Sequence, residues 1–199
     1  SGLTDVAVGV NWGMIGGTRT VTEKVGGFFG FGAKEVQTVV RDRQETVDLD
    51  LSALLYDKNG KLVDKIYYGH TSGKGVKHRG DERSGDSSAD DKDNETITST
   101  LADTTLDVTK IVFVLVSFKG QDFGLLPYAG INLYNTSSRT QVKLANSNID
   151  ISKDNKYSGK VSMIFAALEK TNSGWEYRMI AEPTTKRTLS DLESMCSKI

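Results

Sequence analysis

Apolar and polar positions alternate with a period of two over most of the chain, the spacing of half-buried strands. Val6 to Trp12 reads as a first strand, and Val36 to Val40 as a short one. In Val47-Asp48-Leu49-Asp50-Leu51 the apolar residues take one face, and Asp48 and Asp50 take the other. Asp57-Lys58-Asn59-Gly60 predicts a tight turn into a return strand over 61–68. Glu95 to Leu101 alternates again, with Ile97, Ser99 and Leu101 on one side. Lys110 to Phe118 is the most apolar run and rich in β-branched residues, as a central strand requires. Tyr128 to Tyr134, Arg139 to Ala145 and an edge at Ile149 to Ile151 follow. A closing hairpin joins 159–168 to 175–181 across Asn172-Ser173-Gly174.

After Pro183 the period changes. Leu189, Leu192, Met195, Cys196 and Ile199 recur at helical spacing behind Thr188, a residue suited to the N-cap. The sum is roughly eight to ten strands with turns between them, which predicts an all-β, antiparallel β-sandwich with a short C-terminal helix. The sandwich is expected over 1–182 and the amphipathic helix over 183–199.

Two stretches interrupt the alternation. Met14 to Ala33 is rich in glycine and carries Phe28, Phe29 and Phe31. It reads as a loop, folded onto the body or offering an exposed apolar patch, within an insertion of about 13–45. Gly69 to Arg79 reads as a basic loop, with His70, Lys74, Lys77, His78 and Arg79 balancing nearby acid.

That acid is the loop from Gly80 to Glu95, where Asp81, Glu82, Asp86, Asp90, Asp91, Asp93 and Glu95 face only Arg83 and Lys92. Close exposed carboxylates repel by about a kcal/mol per pair unless a cation sits among them. Hard cations such as Ca2+ take about six to eight oxygens from loops of this kind; a solvated acidic surface is the alternative. Asp48 and Asp50 add to the first reading, because adjacent carboxylates on one strand face repel too. There the alternative is a solvated face with a cation beside it, Arg41 or Arg43. No EF-hand is present, since the sixth position from Asp86 is Asp91 and the twelfth is Ile97.

Composition narrows the rest. Among 199 residues, 25 Lys+Arg stand against 26 Asp+Glu, which gives no electrostatic reason to expect nucleic acid. Cys196 is the sole cysteine and there are 2 histidines, so thiolate zinc sites and histidine-rich metal sites are not expected. No run approaches the roughly 18 apolar residues of a membrane span and no signal peptide is visible, so a cytoplasmic location is expected.

Taken in order, Asp48-Leu49-Asp50-Leu51-Ser52-Ala53, Asn59-Gly60-Lys61, Lys77-His78-Arg79-Gly80-Asp81, Gly120-Gln121-Asp122-Phe123-Gly124 and Gly174-Trp175-Glu176-Tyr177 resemble the TerD-domain family. The resemblance runs from about Val6 to Glu182. It implies a calcium-binding β-sandwich without established catalysis, in a cytoplasmic system of bacterial stress and tellurium resistance. It also implies other Ter-type stress proteins as partners, near the membrane. The family's Asp-x-Asp matches Asp48 and Asp50, its Gly-Asp-Asn opening matches Gly80-Asp81-Glu82, and its acidic close matches Lys92-Asp93-Asn94-Glu95. The acidic loop and the region 13–45 are longer here than in the family, and the family's usual first strand is mostly absent.

The expected metal ligands are Asp48, Asp50, Asp81, Asp86, Asp90, Asp91, Asp93, Asn94 and Glu95, holding about two Ca2+. Two other functions fit the residues. One is a Ca2+-dependent membrane or partner-binding module using Phe28, Phe29 and Phe31. The other is a metal-assisted hydrolase with His70 or His78 as base; no local motif marks a nucleophile for it.

Overall fold

The structure, a computed structural model, describes residues 3–16, 18–25, 34–41, 43–90, 92–104, 107–138, 142–149 and 154–199. Chain order gives β1 (Asp5–Trp12), β2 (Thr18–Val25), β3 (Lys34–Arg41), β4 (Leu49–Tyr56), β5 (Leu62–Ile66), β6 (Ser72–Gly73) and β7 (Val76–His78). Then come β8 (Glu95–Thr100), β9 (Lys110–Ser117), β10 (Ala129–Asn135), β11 (Val142–Ile149), β12 (Ser162–Thr171), β13 (Gly174–Thr184) and α1 (Leu189–Cys196). The strands build one sheet in the order β11-β10-β1-β8-β7-β6, a second in the order β13-β12-β9-β4-β5, and a separate β2–β3 hairpin. Paired strands run antiparallel, as the alternation predicts.

The main core lies between the two large sheets. Val8, Val10 and Trp12 of β1 meet Leu49, Leu51 and Leu55 of β4, Phe113 and Leu115 of β9, and Phe165 of β12, all fully buried. A register shift between Ile164 and Ala166 lets both Phe165 and Ala166 face this core. The apolar run of β9 has a simple cause: the strand is buried on both faces. Ile111, Phe113 and Leu115 enter the sandwich, while Val112, Val114 and Val116 join a second cluster with Leu54, Tyr56, Leu192 and Cys196. Helix α1 therefore covers part of the outer face of the five-stranded sheet. Thr188 caps it, accepting from the Asp191 backbone N–H at 3.2 Å, and the Tyr56 hydroxyl donates to the Glu193 carbonyl at 2.9 Å.

Two loop readings are corrected. Residues 18–25 form β2, paired with β3 from Thr18↔Arg41 to Val25↔Lys34; the alternating Thr and Val outweigh the flanking glycines. Phe28, Phe29 and Phe31 lie outside the described residues. Residues 72–78 hold β6 and β7, which extend the first sheet by a short hairpin around Gly75 (φ +78). In that stretch Lys74 pairs with Asp107 at 3.1 Å and His70 faces Asp64 at 3.3 Å, so these two side chains find partners outside the acidic loop.

Candidate metal centre

Strand alternation sends Leu49 and Leu51 into the core and turns Asp48, Asp50 and Ser52 toward the opposite face of β4. Residues 80–86 pass beside this face, held by the Val47 N–H donating to the Ser84 carbonyl at 2.9 Å. Asp48, Asp50 and Asp81 converge there, with one carboxylate oxygen from each lying within 4.8 Å of the others. Asp48 is buried, Asp50 partly buried and Asp81 exposed. Together with Tyr68, Arg83 and Phe118 they line a pocket of about 110 Å³.

So much negative charge in a half-dry pocket is costly. Burial first, then the carboxylates of Glu95, Asp48 and Asp81, push Asp50 up to about 7. Asp48 is also raised, by burial and then by Asp81, against the opposing pull of Lys119 and Arg83. The cations beside the pair are therefore Arg83 and Lys119. Arg83 donates to Asp81 Oδ2 through Nε at 2.9 Å and Nη2 at 2.7 Å, from a side chain that is 75% exposed. Three carboxylates with no thiol or imidazole among them are hard oxygen donors, which fits a divalent cation such as Ca2+.

The other residues expected as ligands sit elsewhere in the fold and hold protein groups. Asp86 accepts from the Asn94 amide at 2.9 Å and the Tyr128 hydroxyl at 3.0 Å. Asn94 Oδ1 accepts from the Trp12 backbone N–H at 2.8 Å. Asp93 takes Asn132 Nδ2 and the Tyr134 hydroxyl, and it lies against Gly9, where a Cβ would come within 2.0 Å of its carboxylate. Asp90 is exposed and accepts from the Lys92 N–H at 2.8 Å. Asp91 lies outside the described residues. The reason is in the backbone: Asp86 N–H donates to the Trp12 carbonyl and Asn94 N–H to the Val10 carbonyl, fastening this part of the loop to β1 and not to β4.

Glu95 connects the two regions. It is buried, and its carboxylate accepts from Leu51 N at 2.8 Å and Glu82 N at 3.1 Å. His78 Nε2 lies 3.3 Å from Glu95 Oε2, while Gly80 N–H donates to Nδ1. The His78 proton is thus placed on Nε2, and both ring nitrogens are engaged.

Residues 1–197 match the family model described as the TerD domain. The chain belongs to the TerD family. It is 29% identical to stress response protein SCP2 of Bacillus subtilis (strain 168) over 203 residues, 98% of this chain and 90% of that protein. It is 33% identical to tellurium resistance protein TerD of Serratia marcescens over 144 residues, covering 68% of this chain and 70% of that one. A solved Streptomyces coelicolor homologue of telluride resistance protein (TerD) superposes with a TM-score of 0.66 at 14% identity, covering 96% of both chains. That likeness supports the TerD sandwich architecture.

Three participants in this TerD site carried no signal in the sequence. Arg83, the cation on Asp81, was one of two basic residues in an acidic run. Tyr68 and Phe118 stand at strand ends, 45% and 60% exposed, with ring centroids 6.2 Å apart in an edge-to-face arrangement. Their adjacency follows from the order of β5, β4 and β9 in the sheet, which no local spacing encodes. No helix among the described residues is long and apolar enough to cross a membrane.

Proposed function

We propose that this TerD-family chain is a non-enzymatic Ca2+-binding module of a bacterial stress and tellurite-resistance system, acting with other Ter-type proteins in the cytoplasm or at the membrane surface. The observation that carries the reading is the convergence of Asp48, Asp50 and Asp81. Asp50 is held at about 7 by burial and by neighbours of the same charge, and a cation relieves both. The ligands are these three carboxylates, and water or a further oxygen completes the shell. The ion supplies charge that cross-links β4 to the acidic loop. Arg83 occupies Asp81 in the metal-free chain and yields as the ion enters. Both His78 ring nitrogens are hydrogen-bonded, so this imidazole is not free to act as the base of a hydrolase, which supports a binding role.

The test is calorimetric titration of the chain with Ca2+ and, separately, Mg2+. Saturable heat with Ca2+, lost when Asp48 and Asp50 are both changed to Asn, is expected. Absence of heat in the unaltered chain overturns the proposal. Fractionation of cells, and recovery of Ter-type proteins with the tagged chain only when Ca2+ is present, checks the cellular part.

A further inference from the structure

A second pocket adjoins the carboxylate centre on the same outer face of the five-stranded sheet. It has a volume of about 270 Å³ and shares Asp50, Tyr68 and Phe118 with the first. Its remaining wall includes Ser52, Val116 and Arg187. The sheet face here lies just beyond the area that α1 covers, so apolar Val116 and the two aromatic rings border an open groove.

Ser52 is the informative residue. It is 1% exposed, it lines this pocket, and its hydroxyl has no hydrogen-bond partner among the described residues. A buried hydroxyl without a partner costs about 1–3 kcal/mol, so such groups are found where a ligand or water meets them. Arg187 also lines the pocket: it is exposed, and its guanidinium lies over Gly120.

Charge decides what the groove takes. Asp48, Asp50 and Asp81, with Glu82 and Glu95 close by, are opposed by Arg83 and Lys119, so without a metal the region is negative and repels an anion. A divalent ion on the carboxylates cancels most of that negative charge and lifts the repulsion, which leaves Arg187 at the groove wall as the charge an anion meets. Three carboxylates also leave part of the roughly six- to eight-oxygen shell of Ca2+ open to another oxygen. The neighbouring space is bordered by aromatic rings, by the Ser52 hydroxyl without a partner among the described residues, and by the Arg187 guanidinium.

We propose that this groove binds an organic oxyanion, a phosphate or carboxylate on a flat or apolar body, in a metal-dependent manner. The oxyanion meets the bound ion beside Asp50, Arg187 pairs with it, Ser52 hydrogen-bonds to it, and Tyr68 and Phe118 pack against its body. The inference rests on the Ca2+ reading above. Ion and oxyanion strengthen each other reciprocally, because each supplies charge the other needs.

The experiment titrates phenyl phosphate into the chain with Ca2+ and with chelator, and titrates Ca2+ with and without phenyl phosphate. Binding only with Ca2+ is expected, together with an equal gain of about tenfold in Ca2+ affinity. Methyl phosphate, with the same charge and no ring, binds about tenfold more weakly. Arg187→Gln, at an exposed position outside the carboxylate pocket, weakens phenyl phosphate about fivefold or more and leaves Ca2+ binding intact; that also rules out chelation in free solution as the cause. Vesicles containing phosphatidic acid separate the sources: retention that phenyl phosphate competes away assigns the oxyanion to a lipid headgroup, and phenyl phosphate binding without retention assigns it to a soluble molecule. Ca2+ binding that phenyl phosphate leaves unchanged overturns this inference alone. No Ca2+ binding overturns it together with the reading it rests on.

Discussion

At Asp50 the stability of the metal-free fold and readiness for a cation oppose each other. Its folded pKa of about 7 stands above the ordinary 3.8. Between roughly pH 4 and pH 7 the folded chain therefore holds a proton that the unfolded chain has released. From this group, metal-free stability is highest in acid and falls as pH rises through 7. Asp50→Asn removes that penalty. Asp50 is still partly open to solvent, so the gain at pH 8 is about 1 kcal/mol after screening, or roughly 2–4 °C in Tm. At pH 4 the variant and the parent melt alike. Thermal melts at the two pH values, both in chelator, check this, and the variant's gain must vanish in acid for the cause to be charge. The Asp48/Asp50 pair was legible because a period of two separates it from Leu49 and Leu51. The role of Glu95 was not: it is fixed by Leu51 N–H, 44 residues away, across a packing that local spacing does not report.

Elements were readable where burial leaves a period. Strand β9 shows as an unbroken apolar run because both its faces are covered, and α1 shows as a change of period after Pro183. The short β6–β7 hairpin was hidden by its glycines and charges, although Val76 and His78 are buried, and β2 was hidden by the glycines that flank it. Helix α1 is bound to the sheet mainly by Leu192 and Cys196, both fully buried against Leu54, Val112 and Ile164. Leu192→Ala opens a cavity there and costs about 2–4 kcal/mol. Urea unfolding measures it, and a loss well below 1 kcal/mol means that α1 contributes little to the fold. The acidic loop divides in the same physical terms. Residues 84–86 and 94–95 are hydrogen-bonded into β1, β4 and the 43–47 segment, whereas Asp81 reaches the pocket from an exposed position.

Across the whole molecule, one end of the sandwich gathers charge from distant parts of the chain, with Asp48 just before β4, Asp50 on it, Asp81 in the loop and Lys119 after β9. Unfolding separates these groups, so an ion that needs all three carboxylates binds the folded chain and not the unfolded one. Ca2+ at about a hundredfold above its Kd then adds about 2.7 kcal/mol, a rise of roughly 5–10 °C in Tm for a chain of this size. The dependence on pH is opposite to that of the metal-free chain. Protons compete with Ca2+ for Asp50 below about 7, so the Ca2+-induced rise is largest at pH 8, shrinks through pH 6 and is nearly gone at pH 5. Paired melts with Ca2+ and with chelator across that range measure the difference directly. A rise that is equal at pH 5 and pH 8 places the ion away from Asp50. A rise that vanishes in acid and is absent from Asp50→Asn at every pH ties the ion to the carboxylate whose burial makes the empty site costly.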